Sequence, residues 1–195
     1  MVSRKRKGAG ELTADNLIEQ TVLYSSAGAG DYAAAQYLPS SIGSLYTVET
    51  LSLEEHAIAA LPESIGNLNR LEELSLERNW LKCLPEQLCQ LTRLTRLVIP
   101  TNKLFLLPPD IGNLRDLEVL RLDENGLMPL PNSITKLTRL STLSVCRNPG
   151  LRLSRDKEEW IMELPRKGDP VNLDARLEDS LRSHSASDVN EAHRQ

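Results

Sequence analysis

Histidine and cysteine are the side chains of this 195-residue chain best suited to catalysis or metal binding, and there are only three of each. They are His56, His184, His193, Cys83, Cys89 and Cys146. No metal-ligand spacing, phosphate-binding loop or nucleophile motif surrounds any of them. The odd number and irregular spacing of the cysteines favour free thiols. We therefore predict a chain without enzymatic activity, cofactor or bound metal.

Carboxylates are the other chemical resource, and six of them are concentrated in a short stretch. They are Glu49, Glu54, Glu55, Glu72, Glu73 and Glu77. Exposed carboxylates attract cations but are poor proton donors, because a strongly raised pKa requires burial. A patch of one sign favours an oppositely charged partner, so we predict that a basic segment of another protein binds here. The alternative is that these charges only keep an exposed surface soluble.

A repeat of 23 residues positions these carboxylates. One copy reads LEELSLERNWLKCLPEQLCQLTR from Leu71, and the next begins at Leu94. Apolar residues at the fourth and sixth positions predict a short strand with one inward face. The ninth position is Asn in four copies and His56 in the first, which predicts an altered first turn. Leu-Pro and apolar spacings of four and three then predict a short helical or 3₁₀ return. A fixed period of this length indicates a solenoid.

The pattern L-x-x-L-x-L-x-x-N-x-L resembles that of leucine-rich repeat proteins. Its continuation, L-P-x-x-I-G-x-L, is similar to the 23-residue subclass of Ras-suppressor-like and plant intracellular Ras-group-related proteins. The resemblance implies an α/β fold, a curved solenoid with a parallel β-sheet on its concave face. It also implies short 3₁₀ or helical returns on the convex face and a helical cap at each end. The expected function is a non-catalytic scaffold or adaptor that binds another protein. A structural or regulatory subunit of a phosphatase-targeting, cytoskeletal or ciliary complex is the alternative.

The repeats divide the chain into five regions. We predict a basic disordered tail over 1–10, an N-terminal cap with a degenerate first repeat over 11–47, leucine-rich repeats over 48–149, a C-terminal cap over 150–182 and a disordered tail over 183–195.

Apolar spacing predicts the helices of the two caps. One helix is expected over Glu11–Tyr24, before a truncated repeat at Leu38–Leu45. At the other end, helices are expected over Arg155–Leu164 and Asn172–Leu181, with Trp160 covering the last coil.

Two surfaces are predicted to contact a partner. On the concave face, the outward strand positions and the residues that follow them provide Glu54, Glu73, Glu77, Arg78, Arg96, Arg121 and Asp123. On the loops after the strands, Trp80, Phe105 and Met128 are the second candidate, as an exposed apolar patch. Packing between neighbouring loops is the alternative for that patch.

Composition restricts the partners and the compartment. The formal net charge is −4, and the repeats have no basic face that would bind nucleic acid. No apolar run reaches about 18 residues, so we expect no membrane span, and an open sheet predicts no small-molecule ligand. The start, MVSRKRKGAG, lacks the apolar stretch of a secretory signal. With unclustered cysteines, this predicts an intracellular, cytoplasmic protein. The run Arg4-Lys5-Arg6-Lys7 leaves open nuclear import, a contact to an acidic partner or a solubilising tail.

Overall fold

The computed structural model describes residues 11–13, 36–164, 171–174, 177–179 and 181. The strands are β1 (Glu11–Thr13), β2 (Gln36–Tyr37), β3 (Thr50–Ser52), β4 (Ile58–Ala60), β5 (Glu73–Ser75), β6 (Arg96–Val98), β7 (Val119–Arg121) and β8 (Thr142–Ser144). The 3₁₀ helices are Ser40–Ser44, Glu63–Asn67, Glu86–Gln90, Ile111–Asn113 and Asn132–Lys136, and the α-helix α1 covers Arg155–Glu163. None of the helices in the described part of the chain is long and apolar enough to cross a bilayer. The predicted tails at 1–10 and 183–195 lie outside these residues.

Each coil contributes one strand to a parallel sheet and one 3₁₀ helix to the opposite side. The sheet has six strands in the order β1-β3-β5-β6-β7-β8. From β3 onwards the register advances by 23 residues per strand, as in the pairing of Thr50 with Glu73 and of Glu73 with Arg96. The predicted solenoid, with its parallel sheet and short 3₁₀ returns, is therefore confirmed.

Columns of leucine form the core because the same position of every coil points inward. The fourth position of each repeat is fully buried or nearly so, at Leu51, Leu74, Leu97, Leu120 and Leu143. Burial of each such side chain contributes about 1.5–3 kcal/mol through the hydrophobic effect. The prolines before four of the 3₁₀ helices are extended, and the amide of Ile65, for example, donates to the carbonyl of Pro62 at 3.0 Å.

A ladder of asparagines supports the turn after each strand. The Nδ2 group of Asn79 donates to the carbonyls of Leu53 and Leu76, and its Oδ1 accepts from the amides of His56 and Ile58. The side-chain amides of Asn102, Asn125 and Asn148 each donate to a carbonyl of the preceding coil and accept from an amide of that coil. Each asparagine thus satisfies backbone groups of two successive coils that would otherwise be buried without partners.

The turn at His56 differs from the others, as predicted. In each regular coil one residue of the turn has a positive φ, and Arg78 is an example at 54°. The first coil has two such residues, Glu55 and Ala57, on either side of His56. An imidazole cannot form the hydrogen bonds that the asparagine amide forms in the other coils, and this turn has a second residue with left-handed backbone angles. The Nδ1 atom of His56 has no hydrogen-bond partner among the described residues.

The N-terminal cap corrects one prediction, since residues 11–13 form strand β1 and do not begin a helix. Leu12 lies opposite Leu51, so β1 extends the main sheet by one strand. Its backbone pairs with the edge of β3, and this long-range pairing outweighs the local helical spacing. The rest of the predicted helix and most of the degenerate stretch lie outside the described residues. The truncated repeat is present, with a 3₁₀ helix at Ser40–Ser44.

The coil that begins at β1, before the one containing His56, is longer than the others. Glu11 pairs with Thr50, a separation of 39 residues, whereas Thr50 pairs with Glu73, a separation of 23. The coil therefore carries 16 additional residues between its strand and its return. The return begins at β2, where Tyr37 pairs with Ala60 at the usual interval.

At the C-terminus, α1 confirms the first predicted cap helix and buries Trp160, Ile161 and Leu164. The Nζ atom of Lys157 lies 2.9 Å from Asn132 Oδ1 and links α1 to the last 3₁₀ helix.

The second predicted helix, Asn172–Leu181, is wrong in its first half. Asn172 is extended and pairs with Ser144 of β8, and its amide donates to the carbonyl of Leu143 at 2.8 Å. Leu173 and Leu177 are buried, and only 177–179 and 181 are helical among the described residues of this segment. The free edge of β8 explains the difference, because its backbone groups need a partner.

Cys89 occupies the convex column in which the neighbouring coils have Gly66 and Gly112, and it is buried. Burial raises the pKa of its thiol to about 11, with further contributions from Asp110 and Glu86. About one thiol in a thousand is then ionised at pH 8, and only the thiolate is nucleophilic.

We therefore expect iodoacetamide to alkylate the exposed Cys83 in the native protein, and Cys89 only after unfolding. Both residues lie in one tryptic peptide, so fragmentation by mass spectrometry locates the label over time. Equal native rates at Cys83 and Cys89 would contradict the buried position of Cys89.

Candidate functional site

A hollow of about 290 Å³ lies on the concave face, over strands β3 to β7. Five of the predicted partner-binding residues line it, namely Glu54, Glu73, Glu77, Arg96 and Arg121. They meet because positions 23 residues apart are neighbours, at about 4.8 Å, in adjacent parallel strands. We call this cavity the acidic hollow, since its three carboxylates belong to the first two full coils.

Small side chains on two neighbouring strands line the middle of the hollow. Ser52 and Ser75 lie side by side in the register and form the floor between the longer glutamates. Thr50, Leu51, Leu74 and Val98 also line the hollow. None of these smaller or apolar lining residues was among the predicted site residues, although the 23-residue offset places Ser52 and Ser75 together. Their short side chains in one row are the signal that could have identified the floor.

The carboxylates of the hollow keep most of their capacity to accept hydrogen bonds. Glu77 Oε1 lies 3.6 Å from Arg78 Nε, and Glu73 Oε1 lies 3.7 Å from Arg96 Nε, both longer than a hydrogen bond. Glu54 accepts a hydrogen bond of 2.6 Å from Ser75 Oγ. A cation entering the hollow would therefore not have to break a short contact between Glu73 and Arg96 or between Glu77 and Arg78.

Ion pairs on the rim of this region are shorter. Arg78 NH1 lies 2.5 Å from Glu55 Oε1, and Arg93 NH2 lies 2.9 Å from Glu72 Oε1. The hydrogen bond from Arg78 to Glu55 is the main cause that raises the pKa of the Arg78 guanidinium. Because these pairs are exposed to water and salt, they add little to the stability of the fold. They lower the net negative charge around the hollow but lie outside it.

Two of the predicted site residues have other contacts. Arg78 lies on the turn beyond β5 with a left-handed backbone and pairs with Glu55. Asp123 accepts hydrogen bonds from Ser144 Oγ at 2.5 Å and from the amide of Cys146 at 2.9 Å. Its carboxylate therefore connects the ends of the last two coils, which differs from the open position of Glu77.

The predicted apolar surface on the loops differs from expectation at two places. Trp80 is less exposed than predicted, and Leu106 adds exposed apolar area beside Phe105. Trp80 is half-buried, and Lys103 Nζ lies over its ring at 5.0 Å from the centroid. Phe105 and Met128 are more than half exposed, at 54% and 52%, and their backbones are hydrogen-bonded across adjacent coils. Leu106, which was not among the predicted residues, is 56% exposed beside them.

Comparison with protein families identifies the repeats. The family described as a leucine-rich repeat region matches residues 30–106. This chain folds as a leucine-rich repeat solenoid. Comparison with curated proteins gave no match.

Solved leucine-rich repeat structures share this fold. The ectodomain of the receptor kinase SOBIR1 from Arabidopsis thaliana is 26% identical, with a TM-score of 0.54 over 63% of this chain and 68% of that one. The ectodomain of the Arabidopsis thaliana receptor kinase GASSHO1/SCHENGEN3, solved in complex with CASPARIAN STRIP INTEGRITY FACTOR 2, is 27% identical. Its TM-score is 0.53, over 60% of this chain and 16% of that one. Internalin C2 of Listeria monocytogenes has the same fold at 24% identity, with a TM-score of 0.57 over 69% of this chain and 55% of that one.

Several of these leucine-rich repeat proteins are much longer than this chain. The chain spans 38% of the length of a leucine-rich repeat protein from Leptospira interrogans and 16% of the GASSHO1 ectodomain.

Proposed function

We propose that this leucine-rich repeat solenoid is a non-catalytic scaffold or adaptor that binds a basic segment of a partner protein in its acidic hollow. The observation that carries the proposal is the availability of the Glu54, Glu73 and Glu77 carboxylates around a floor of small residues. The hollow lies on an open parallel sheet, and this arrangement suits an extended segment of a macromolecule.

The geometry favours recognition of a cationic side chain over the other interactions available here. A lysine or arginine of the partner that lies over Ser52 and Ser75 would be within reach of carboxylates from two coils. Hydrogen bonds between charged groups are roughly twice as strong as those between neutral groups. The strands are held in a continuous ladder, so the three carboxylates are positioned before binding, and little rearrangement is needed.

Reversing the charge of the hollow tests this function. The triple variant Glu54→Lys, Glu73→Lys, Glu77→Lys is expected to weaken binding of a fluorescein-labelled decapeptide containing four lysines at least about thirtyfold. The physical reason is that attraction is replaced by repulsion at the surface that contacts the peptide. Fluorescence anisotropy at low ionic strength measures the change.

The matched control places the same charge change on exposed positions of the convex side, as Glu63→Lys, Glu86→Lys and Asp110→Lys. Because these residues lie on or beside the 3₁₀ helices, we expect less than a threefold change. Equal losses in the two triple variants would mean that overall charge, and not the hollow, governs binding.

Two further features belong to this proposal. We place the repeats in the 23-residue subclass, a choice supported by the constant strand register and by the Leu-Pro start of the 3₁₀ helices. We also propose an intracellular, reducing location, supported by three cysteines that are all free thiols.

A further inference from the structure

We propose that the basic run Arg4-Lys5-Arg6-Lys7 of this same chain occupies the acidic hollow when no partner is bound. The proposal rests on the proposed function, because it requires that the hollow accepts basic segments. A partner would then bind by displacing the chain's own cations. Neither the fold nor the proposed partner-binding site gives this basic run a role.

The position of β1 brings the run to the correct end of the sheet. Glu11, the first residue of β1, lies opposite Thr50, a residue that lines the hollow. β1 pairs with β3, and β3 pairs with β5, so Glu73 is two strands away, or about 10 Å. Of the six strands, β1 is therefore the one from which an N-terminal segment has the shortest path to the carboxylates.

The length of the connection is sufficient. Lys7 precedes Glu11 by four residues and Arg4 by seven, and an extended chain covers about 3.3–3.6 Å per residue. These residues can therefore reach about 14 Å and about 25 Å from the start of β1. Glu77 lies four residues beyond Glu73 along the strand direction, a further distance of about 13 Å. Gly8 and Gly10 permit the reversal that folding back over β1 requires.

Charge complementarity selects this surface over the others. The strands and following turns of the first two full coils carry six carboxylates, and Arg78, Arg93 and Arg96 form ion pairs with four of them, Glu55, Glu77, Glu72 and Glu73. An excess of negative charge remains in these two coils, and three of the carboxylates line the hollow together with Arg96 and Arg121. Four cations in succession match that excess, with one sign on each side of the contact.

A tether makes even a weak contact significant. A segment joined by a short flexible linker has an effective concentration in the millimolar range. If the free run binds with a dissociation constant of about 0.1 mM, it would be bound most of the time and would weaken a competing basic ligand about tenfold. The contact is electrostatic and lies at the surface, so the weakening is expected to shrink as salt is added.

The test compares the full chain with the variant Arg4→Gln, Lys5→Gln, Arg6→Gln, Lys7→Gln. The probe is a fluorescein-labelled peptide with the sequence of residues 1–10, and anisotropy at low ionic strength gives its dissociation constant. We expect the variant to bind the probe about tenfold more tightly than the natural chain. The control removes four exposed cations that lie away from the concave face, as Lys82→Gln, Arg115→Gln, Lys136→Gln and Arg152→Gln, and should bind like the natural chain.

The outcomes separate this proposal from the proposed function. Equal affinity of the natural chain and the tail variant, with binding still lost on reversal of the hollow glutamates, overturns the internal contact alone. An equal gain in the control variant also overturns it, because the effect would then be one of net charge. If neither the natural chain nor the tail variant binds the probe, the hollow does not accept basic segments and both proposals are wrong.

Discussion

Replacement of Asn125 by alanine is expected to lower the free energy of unfolding by about 3 kcal/mol. Its Nδ2 group donates to the carbonyls of Ile99 and Leu122 at 2.9 and 3.1 Å, and its Oδ1 accepts from the amide of Leu104 at 3.0 Å. The side chain is buried, so its removal leaves backbone groups of two coils without partners and without access to water. Urea denaturation followed by circular dichroism measures the change.

Asn69→Ala is the matched control, because Asn69 is exposed and neighbouring coils have Thr92 and Arg115 at its position. We expect its free energy of unfolding to change by no more than about 0.5 kcal/mol. Similar losses for the two variants would show that the ladder adds nothing specific to stability. A loss confined to Asn125→Ala would identify the amide bonds as a main connection between coils.

The second large effect is expected on the convex side, where Gly112→Ala should destabilise the protein by about 3 kcal/mol. A Cβ atom at this position would lie 2.0 Å from the carbonyl oxygen of Ser133 and 2.8 Å from its carbonyl carbon. Both atoms belong to the backbone of the next coil, which cannot move aside as a flexible side chain can. The two 3₁₀ helices would have to separate, and the measurement is again the urea unfolding transition.

Gly126→Ala serves as the comparison for this variant. A Cβ at Gly126 would meet its nearest atom, the carbonyl oxygen of Leu104, at 3.5 Å, which is an ordinary contact. With no clash, the lower entropy of the unfolded chain should leave stability unchanged or raise it by about 0.5 kcal/mol. If Gly112→Ala were as stable as Gly126→Ala, the close stacking of the convex side would be refuted.

The sequence predicts this fold well wherever a column repeats. Leu51, Leu74 and Leu97 recur at a constant interval, so local pattern and stacked neighbours lead to the same answer. β1 and Asn172 show the opposite case. Each pairs with the edge of a strand far along the chain, and neither stretch repeats the leucine pattern. Their conformation depends on a long-range partner that local periodicity does not contain.

The candidate site, too, was only partly predictable from the sequence. The interval of 23 residues suffices to place Glu54 beside Glu77, because register alone decides which side chains are neighbours. The half-burial of Trp80 under Lys103 and the engagement of Asp123 with Ser144 depend on rotamers and loop geometry. Those features arise from packing between coils and were not available from spacing.

The constant register of β3 to β8 has a consequence for how such a protein can change through gene duplication. Loss of one 23-residue unit, by unequal crossing-over between two copies, would rejoin the chain with every leucine column intact. Without the unit that contains Arg96, for example, Glu73 would lie beside Val119 and lose its cationic neighbour. New binding specificities can therefore arise by the loss or gain of whole coils, with little effect on the ability of the chain to fold.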